Sequence, residues 1–487
     1  MATAIRQSLA AGLLARTGHL DEAAQDTATE VIARVGAEGL ETVRLVFPDP
    51  HGILRGKTVV ARALPSAFRD GVGMPSTIIL KDTSQRTVFP VWEADAGFGA
   101  GELTGASDVL LAPDPATFRT LPWSPTSGWM MCDVVTKDGR AIPFSSRTVL
   151  RSAIDRLAGA GLRMVTGLEV EFHVLRIEDA RAAHVDTGMP PAPYATSALT
   201  RAYSLLSDAH YDALEEVMDA LRRACEGLGL PLRTMEPEFG PSQVEFTFDP
   251  AGPMEHADGM VLFRAMAKQV CRRMGLHATF MCRPKIANGA ASGWHLHQSV
   301  VDAETGENRF VPKEDGVLSP TASGWIAGLL EHAAECCLVT TPSVNGYKRY
   351  QAFQLAPDRV QWAVDNKGAM IRGLMRPGDP ASRIENRVPE PAANPHFVIA
   401  SQILAGLDGI ERGLVAPPPA ENPYGTNAPK LPTSLLDAIV AFEGGRLFSG
   451  TLGPSFTAYL SRLKRAEWDR YVAALSEWEQ QEYFDLY

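Results

Sequence analysis

No uncharged apolar run in this 487-residue chain approaches the ~20 residues that a membrane-spanning helix needs. A helical membrane protein is therefore not expected. The amino terminus offers only Leu9 to Leu14 as an apolar stretch, closed by Arg16 and without a cleavage site, so no secretory signal is expected either. Cysteine is scarce. The six present (Cys132, Cys225, Cys271, Cys282, Cys336 and Cys337) show no CxxC pairing or disulfide-like spacing, which points to a reducing compartment. The adjacent Cys336 and Cys337 sit in an apolar helical pattern and read as core. Basic residues are in deficit, 46 Lys and Arg against 57 Asp and Glu, and the net charge of -11 argues against a nucleic-acid surface. Internal repeats and low-complexity tracts are missing as well. What is left is an ordinary globular composition, 45% hydrophobic and 21% charged, on a chain long enough for two or more domains. A cytoplasmic protein is expected.

The pattern along the chain divides it into a helical extension over residues 1–24, a small sheet-rich domain over 25–139 and a larger domain over 140–487. In the small domain, strands are expected at Val43–Phe47, Lys57–Val60, Ser76–Leu80, Val88–Trp92, Val109–Leu111 and Trp129–Val135. Apolar spacing then predicts helices at Ser145–Ala160, Tyr211–Leu228 and Met260–Met274, with a charged strand over Arg233–Phe248 and another near Thr279–Cys282. Met189 to Thr196 and Ala416 to Ala420 are rich in Pro and Ala and read as loops. The fold class is α+β, with a large antiparallel sheet carrying charged strands and helices behind it.

Five stretches place acidic, basic or imidazole groups at alternate positions: Glu169-Val-Glu171, Gln243-Val-Glu245, His295-Leu-His297, Asn345-Gly-Tyr347 and Arg383-Ile-Glu385-Asn-Arg387. Alternate residues of a strand share a face. The polar set therefore lines one wall, while Val170, Phe172, Val244, Phe246 and Ile384 turn away from it. So many charges facing one cavity repel or stay desolvated unless divalent cations and a polyphosphate neutralise them. Each stretch alone has a bland reading, an exposed strand edge for Glu169 and Glu171 or a surface ion ladder for Arg383 to Arg387. Together they do not. Glu238 and Glu245 flank a Gly-Pro bend that lets both carboxylates reach one ion. Carboxylates with few imidazoles and no thiolates suit Mg²⁺ or Mn²⁺ rather than zinc. Planar arginine forks suit anionic oxygens, and Lys367 and Arg372 add cations nearby.

From about Thr42 onward the chain resembles the glutamine synthetase family. In the small domain the resemblance rests on Asp49-Pro-His-Gly-Ile-Leu-Arg55-Gly-Lys57 and on Ser107 to Trp123, which look like that family's β-grasp domain. In the large domain it rests on the motifs above, which fall in the family's order. The resemblance implies a β-grasp domain followed by a catalytic domain with a curved antiparallel sheet backed by helices. It implies that Glu171, Glu238 and Glu245 hold one metal, and that Glu169, His295 and Glu385 hold a second. His297, Ser299, Lys367 and Arg372 match ATP contacts, Lys367 standing where the family usually has arginine. Arg349 and Arg387 match the arginines that hold substrate glutamate and act at its γ-carboxylate. The implied chemistry is two-step: ATP phosphorylates a carboxylate, and an amine displaces phosphate to form an amide. Two metals and several arginines would neutralise the charge that develops, and a lid would keep water from the acyl phosphate.

Two departures bear on the substrate. In Tyr350-Gln-Ala-Phe-Gln-Leu355-Ala-Pro357, Leu355 stands where ordinary members carry a glutamate that binds and deprotonates ammonium. Leucine can do neither, but it suits an amine with a hydrocarbon group, since each buried CH₂ contributes roughly 0.8 kcal/mol. Ala290-Ala291 replaces the usual Asn-Gly, which occurs two positions early at Asn288-Gly289. The expectation is a ligase resembling the γ-glutamyl-amine branch, joining L-glutamate to a primary amine, preferably a monoamine, with Tyr350, Phe353 and Leu355 forming the amine pocket. Asp82 is a possible cation binder by position. A glutamine synthetase using ammonia, a non-catalytic member and a kinase that stops at phosphoryl transfer are the alternatives. A large homo-oligomer, two stacked hexameric rings, is implied by the resemblance alone.

Overall fold

The computed structural model describes residues 2–201, 203–351, 355–425 and 427–487. The amino-terminal segment is helical, Ala2–Ala10, Leu13–Arg16 and Glu22–Ala37. Its Leu9, Leu14 and Leu20 are buried, so the segment packs onto the small domain instead of trailing from it. The small sheet comprises β1 (Thr42–Pro48), β2 (Leu54–Val60), β3 (Val72–Pro75), β4 (Asp108–Pro113), β5 (Arg119–Leu121) and β6 (Ser124–Val135). Its order is β2-β1-β6-β4-β3, with β5 beside β6 and a parallel pair at β1 and β6.

The larger sheet comprises β7 (Leu162–Asp179), β8 (Ala195–Ala198), β9 (Leu232–Pro237), β10 (Gln243–Phe248), β11 (Leu276–Thr279), β12 (Trp294–Asp302), β13 (Trp362–Val364), β14 (Ile371–Leu374) and β15 (Arg383–Asn386). Its order is β13-β14-β15-β12-β7-β10-β9, with β8 and β11 also on the long central β7. All pairs are antiparallel except β13 with β14. Helices Ser146–Gly159, Asp208–Leu228, Pro253–Arg273, Pro320–Glu331 and Pro395–Glu411 supply most of the remaining core. The last of these is buried on nearly every side and crosses Pro320–Glu331 at close range. A Cβ on Gly409 would lie 2.0 Å from the carbonyl oxygen of Gly324, so the crossing requires glycine there. Among the described residues no helix is long and apolar enough to cross a membrane.

Five expected strands differ in the structure; the one near Thr279–Cys282 is β11, Leu276–Thr279, whose ladder with β7 ends at Thr279 opposite His173. Ser76–Ile79 is a 3₁₀ turn, because its neighbour β4 ends its pairing with β3 at Pro75 opposite Asp108 and leaves nothing to pair with. Val88 to Trp92 is irregular, since Pro90 has no N–H to donate to a ladder. Asn345 to Tyr347 runs into the 3₁₀ turn Gly346–Arg349, where the Ser343 hydroxyl accepts from Gly346 N at 3.0 Å and competes with extended backbone. Arg233–Phe248 is two strands, β9 and β10, folded back at the Gly240-Pro241 bend.

Candidate active site

The register of the large sheet assembles the site. Glu169 on β7 lies opposite His295 on β12, and Glu171 lies opposite Glu245 on β10. On the other flank His297 lies opposite Glu385 on β15, which lies opposite Arg372 on β14. Between them Val170, Phe172, Val244, Phe246, Leu296 and Ile384 are fully buried on the opposite face. The Phe172 ring stacks on Phe280 at 4.8 Å and meets Phe246 and Phe263 at 5.4 and 5.7 Å. Burying that face fixes the parity of every strand, and the parity puts the charges together.

The resulting groups lie within bonding range of one another. His295 Nδ1 is 2.6 Å from Glu169 Oε1 and 3.7 Å from Glu385 Oε1, and its Nε2 is 3.8 Å from Glu171 Oε1. His297 Nε2 is 3.2 Å from Glu169 Oε2, while Arg383 Nε donates to His297 Nδ1 at 3.2 Å. Since the guanidinium can only donate, we assign the His297 proton to Nε2, directed at Glu169. Glu385 is fully buried and takes hydrogen bonds from Arg387 and, at 3.0 Å, from Arg372. Gly293 makes room: a Cβ there would lie 2.5 Å from Arg349 Nη2 and 2.9 Å from His295 Nε2. Gln243 ties the loop before β12 to the acids, donating to Glu171 Oε2 at 3.2 Å and to the Ala291 carbonyl at 3.3 Å.

Electrostatics show what this concentration of acids costs. Burial and the Glu238 charge push the Glu171 carboxyl up to about 8, and burial with Glu169, Glu171 and Glu238 pushes Glu245 up to about 11. Burial raises Glu238 too. Burial also works against ionised Glu169 and Glu385, yet their neighbours, His295 foremost, hold both below the ordinary range. Burial and the Arg387 charge push His295 itself down to about 4. The ring is therefore uncharged at neutral pH, and we read its support for Glu169 as a hydrogen bond from Nδ1 rather than a charge. That leaves His295 Nε2 as a buried lone pair with no hydrogen-bond partner.

Three sets of side chains can each converge on one cation: Glu171, Glu238 and Glu245; Glu169, Glu245 and His295; Glu169, His297 and Glu385. The first is the triad the sequence pattern pairs with one ion. Of the second expected triad, Glu169 and His295 share one set and Glu169 and Glu385 another, in which His297 joins them. Oxygen-rich donors with one or two imidazoles, an orphaned Nε2 and carboxyls that retain protons without a counter-charge all fit hard divalent cations. Thiolate-seeking metals find no partner here, since no cysteine belongs to these sets.

The other expected residues fall around this centre. Ser299 follows His297 on the same face of β12, opposite Val165. Lys367 is exposed, and its charge acts on Glu238. Arg349 is buried and donates to the carbonyls of Val388 and Pro389 at 3.1 and 3.4 Å. Arg387 Nη2 donates to the Leu355 carbonyl at 3.4 Å, which brings the loop carrying Leu355 to this arginine. Leu355 is 60% exposed at φ 53°, a left-handed backbone that a branched residue seldom adopts. Tyr350 packs edge-on against Tyr347 with its hydroxyl on Thr341. Phe353 lies outside the described residues. Asp82 is buried in an ion pair with Arg470 and accepts from Ser84 and Arg86, so its carboxylate is already satisfied.

Several groups escaped the sequence pattern. Glu236 on β9 lies opposite Glu245, shares a hydrogen bond with it, and is raised by burial. Its alternation with Glu238 was the available signal. Asp365 pairs with Arg372 at 2.6 Å. Asp358, three residues past Leu355, has a buried Oδ1 without a partner among the described residues, and nothing in the sequence pattern marks it.

Fold and site fit a class of enzyme whose clustered carboxylates can hold divalent cations beside several arginines. Residues 143–483 match the model of the glutamine synthetase catalytic domain. The chain is 40% identical over 482 residues to a gamma-glutamylanilide synthase of an Acinetobacter species, covering 95% of this chain and 96% of that one. It is 31% identical to the gamma-glutamylethanolamide synthetase of Streptomyces coelicolor, covering 94% and 95%. A solved GmaS–ADP complex superposes with a TM-score of 0.78 at 29% identity, covering 93% of this chain and 99% of that one. The chain belongs to the glutamine synthetase family, whose members are ATP-dependent C–N ligases.

Proposed function

We propose that the chain joins the γ-carboxylate of L-glutamate to a primary monoamine bearing an apolar group, at the expense of ATP and through an acyl phosphate. The observation that carries the choice of amine is Leu355, an exposed apolar side chain whose carbonyl touches Arg387. A carboxylate there would attract ammonium; leucine offers a charged nitrogen nothing and a hydrocarbon group a contact. The names of two relatives, built on aniline and ethanolamine, support an organic amine.

In this reading Arg349 and Arg387 hold glutamate, and Arg387 meets the charge that grows on its γ-carboxylate during phosphorylation. His297, Ser299, Lys367 and Arg372 hold ATP. Glu171, Glu238 and Glu245 hold one divalent cation, and Glu169, His295 and Glu385 a second, with His297 next to them. Mg²⁺ or Mn²⁺ bound there supplies charge neutralisation and orientation of the phosphates. Leu355, Tyr350 and Phe353 form the amine pocket, and the loop carrying them excludes water from the acyl phosphate. The protein works in the cytoplasm as a large homo-oligomer of two stacked hexameric rings, in keeping with six cysteines that are all free and buried. The test is mass spectrometry of the products from Mg-ATP, L-glutamate and aniline or an alkylamine. The γ-glutamyl amide is expected in equal amount with phosphate. Glutamine as the sole amide, even with organic amine in excess, would replace this reading with an ammonia-dependent synthetase.

A further inference from the structure

A cavity of about 550 Å³ lies where the small domain meets the catalytic domain, and no metal-site residue lines it. Its walls are mostly apolar, with Val46, Leu54 and Trp129 from one domain and Val261, Phe280 and Leu338 from the other. Set among them are two cations without an acidic partner. Arg264 is buried and donates only to carbonyl oxygens, those of Gly52, Pro391 and Ala393, each at 2.9 Å. Burial pushes it down to about 10, Asp49 only partly opposing. One turn along the same helix, Lys268 also lines the cavity and is exposed to water. Desolvation first, and then the Arg264 charge, lower it. Among the described residues no carboxylate lies within ion-pair distance of its ammonium.

Of the other cations on this wall, Arg44 donates to Gln269 and Ser124 and Lys57 to the Gly73 carbonyl, so neither meets an acid, while the rest are paired. Arg55 pairs with Asp49 at 2.9 Å, Lys464 with Glu467 at 3.0 Å, and Glu390 accepts from the Ser343 amide and hydroxyl. The Trp129 indole N–H, on a ring only 3% exposed, also has no acceptor. A buried cation without a counter-charge is expensive, and so is a buried donor without an acceptor. An apolar chamber whose wall carries Arg264, Lys268, Arg44 and Lys57 without an acid and one N–H without an acceptor is shaped for an anion with an apolar body.

We infer that this interdomain cavity binds a small organic anion, its carboxylate or phosphate on Lys268 and its apolar body between the two domains. Glu390 and Ser343 give the ligand a lever on the substrate site. Glu390 follows Arg387 by three residues, and Arg349 is held by the carbonyls of Val388 and Pro389 in between.

The test is calorimetric titration of the full-length protein with its nucleotide site filled by ADP and Mg²⁺. The probes are 4-phenylbutyrate, phenyl phosphate and the neutral 4-phenylbutanol. At least one anion is expected to bind at one per chain, about tenfold or more tighter than the alcohol. K268Q is expected to lose about tenfold, K268R to retain the affinity, and A265W, which fills the chamber, to abolish binding while the melting temperature of K268Q stays that of the parent. Failure of both anions to bind, or equal binding to K268Q and the parent, overturns the inference.

Discussion

At the scale of the residue, the proposed choice of nucleophile rests on one position. Leu355 stands on the flap, exposed, with its carbonyl on Arg387. Replacing it by glutamate restores a group that attracts a cation and removes an apolar contact. L355E is expected to lower kcat/KM for an aromatic or alkyl amine by about tenfold or more and to raise it for ammonia, a swap measurable by phosphate release. Unchanged selectivity would assign Leu355 to packing. The acids make a second residue-scale prediction. Without cations, Glu171 is pushed up to about 8 and Glu245 to about 11, from an unfolded value near 4.5. A group raised on folding contributes stability below its unfolded value and loses it as pH climbs toward the folded one. Protein held in EDTA is therefore expected to melt at progressively lower temperature from pH 5 to pH 8. Added Mg²⁺ should restore more at pH 8 than at pH 5, by scanning fluorimetry. A flat profile would contradict the raised acids. The clustered acids were legible because strand parity groups Glu169, Glu171, Glu245 and Glu385 and the Gly240-Pro241 bend brings Glu238 to them. Asp358 was not, since its buried oxygen depends on how the flap folds, which no local period reports.

At the scale of the element, Arg147 joins the domains. It begins the helix Ser146–Gly159 and reaches Asp114 and Asp133 on the small domain at 2.8 and 2.9 Å, and Asp258 on Pro253–Arg273 at 3.0 Å. His396 also meets Asp258, at 2.8 Å. Removing the guanidinium would leave carboxylates partly buried without a counter-charge. R147A is expected to lower stability by about 3–5 kcal/mol in urea unfolding, and a change below about 1 kcal/mol would show that water or His396 takes over its role. The long elements were legible from period alone, and the helix at 145–160 and the strands around β7, β10 and β12 fall where apolar spacing places them. The short ones were not. Ser76 to Leu80 has strand composition and no strand to pair with, and Asn345 to Tyr347 has the right alternation but side chains that bond its own backbone. Pairing and capping are properties of neighbours, and composition does not carry them.

At the scale of the whole molecule, the two domains are tied together by the helix Pro454–Ala473. Tyr459 donates its hydroxyl to the Ile79 carbonyl, Arg462 Nε donates to Val88 O at 2.8 Å, and Arg470 holds Asp82. The Tyr459 ring also packs on Phe89, Phe98 and Phe144 at 4.3 to 6.0 Å. With this helix packed across residues 79–98 of the small domain, that domain is not expected to melt alone. Unfolding followed by circular dichroism and by tryptophan emission should give one coincident transition; two separated transitions would show the domains to be independent.

The central claim is that this site makes amides from organic amines. Its most direct test is phosphate release with Mg-ATP and L-glutamate across ammonia, methylamine, isopropylamine, aniline and putrescine. Turnover with at least one hydrophobic monoamine is expected well above that with ammonia, and little with putrescine, whose second charge finds no partner on an apolar flap. Best turnover with ammonia would contradict it.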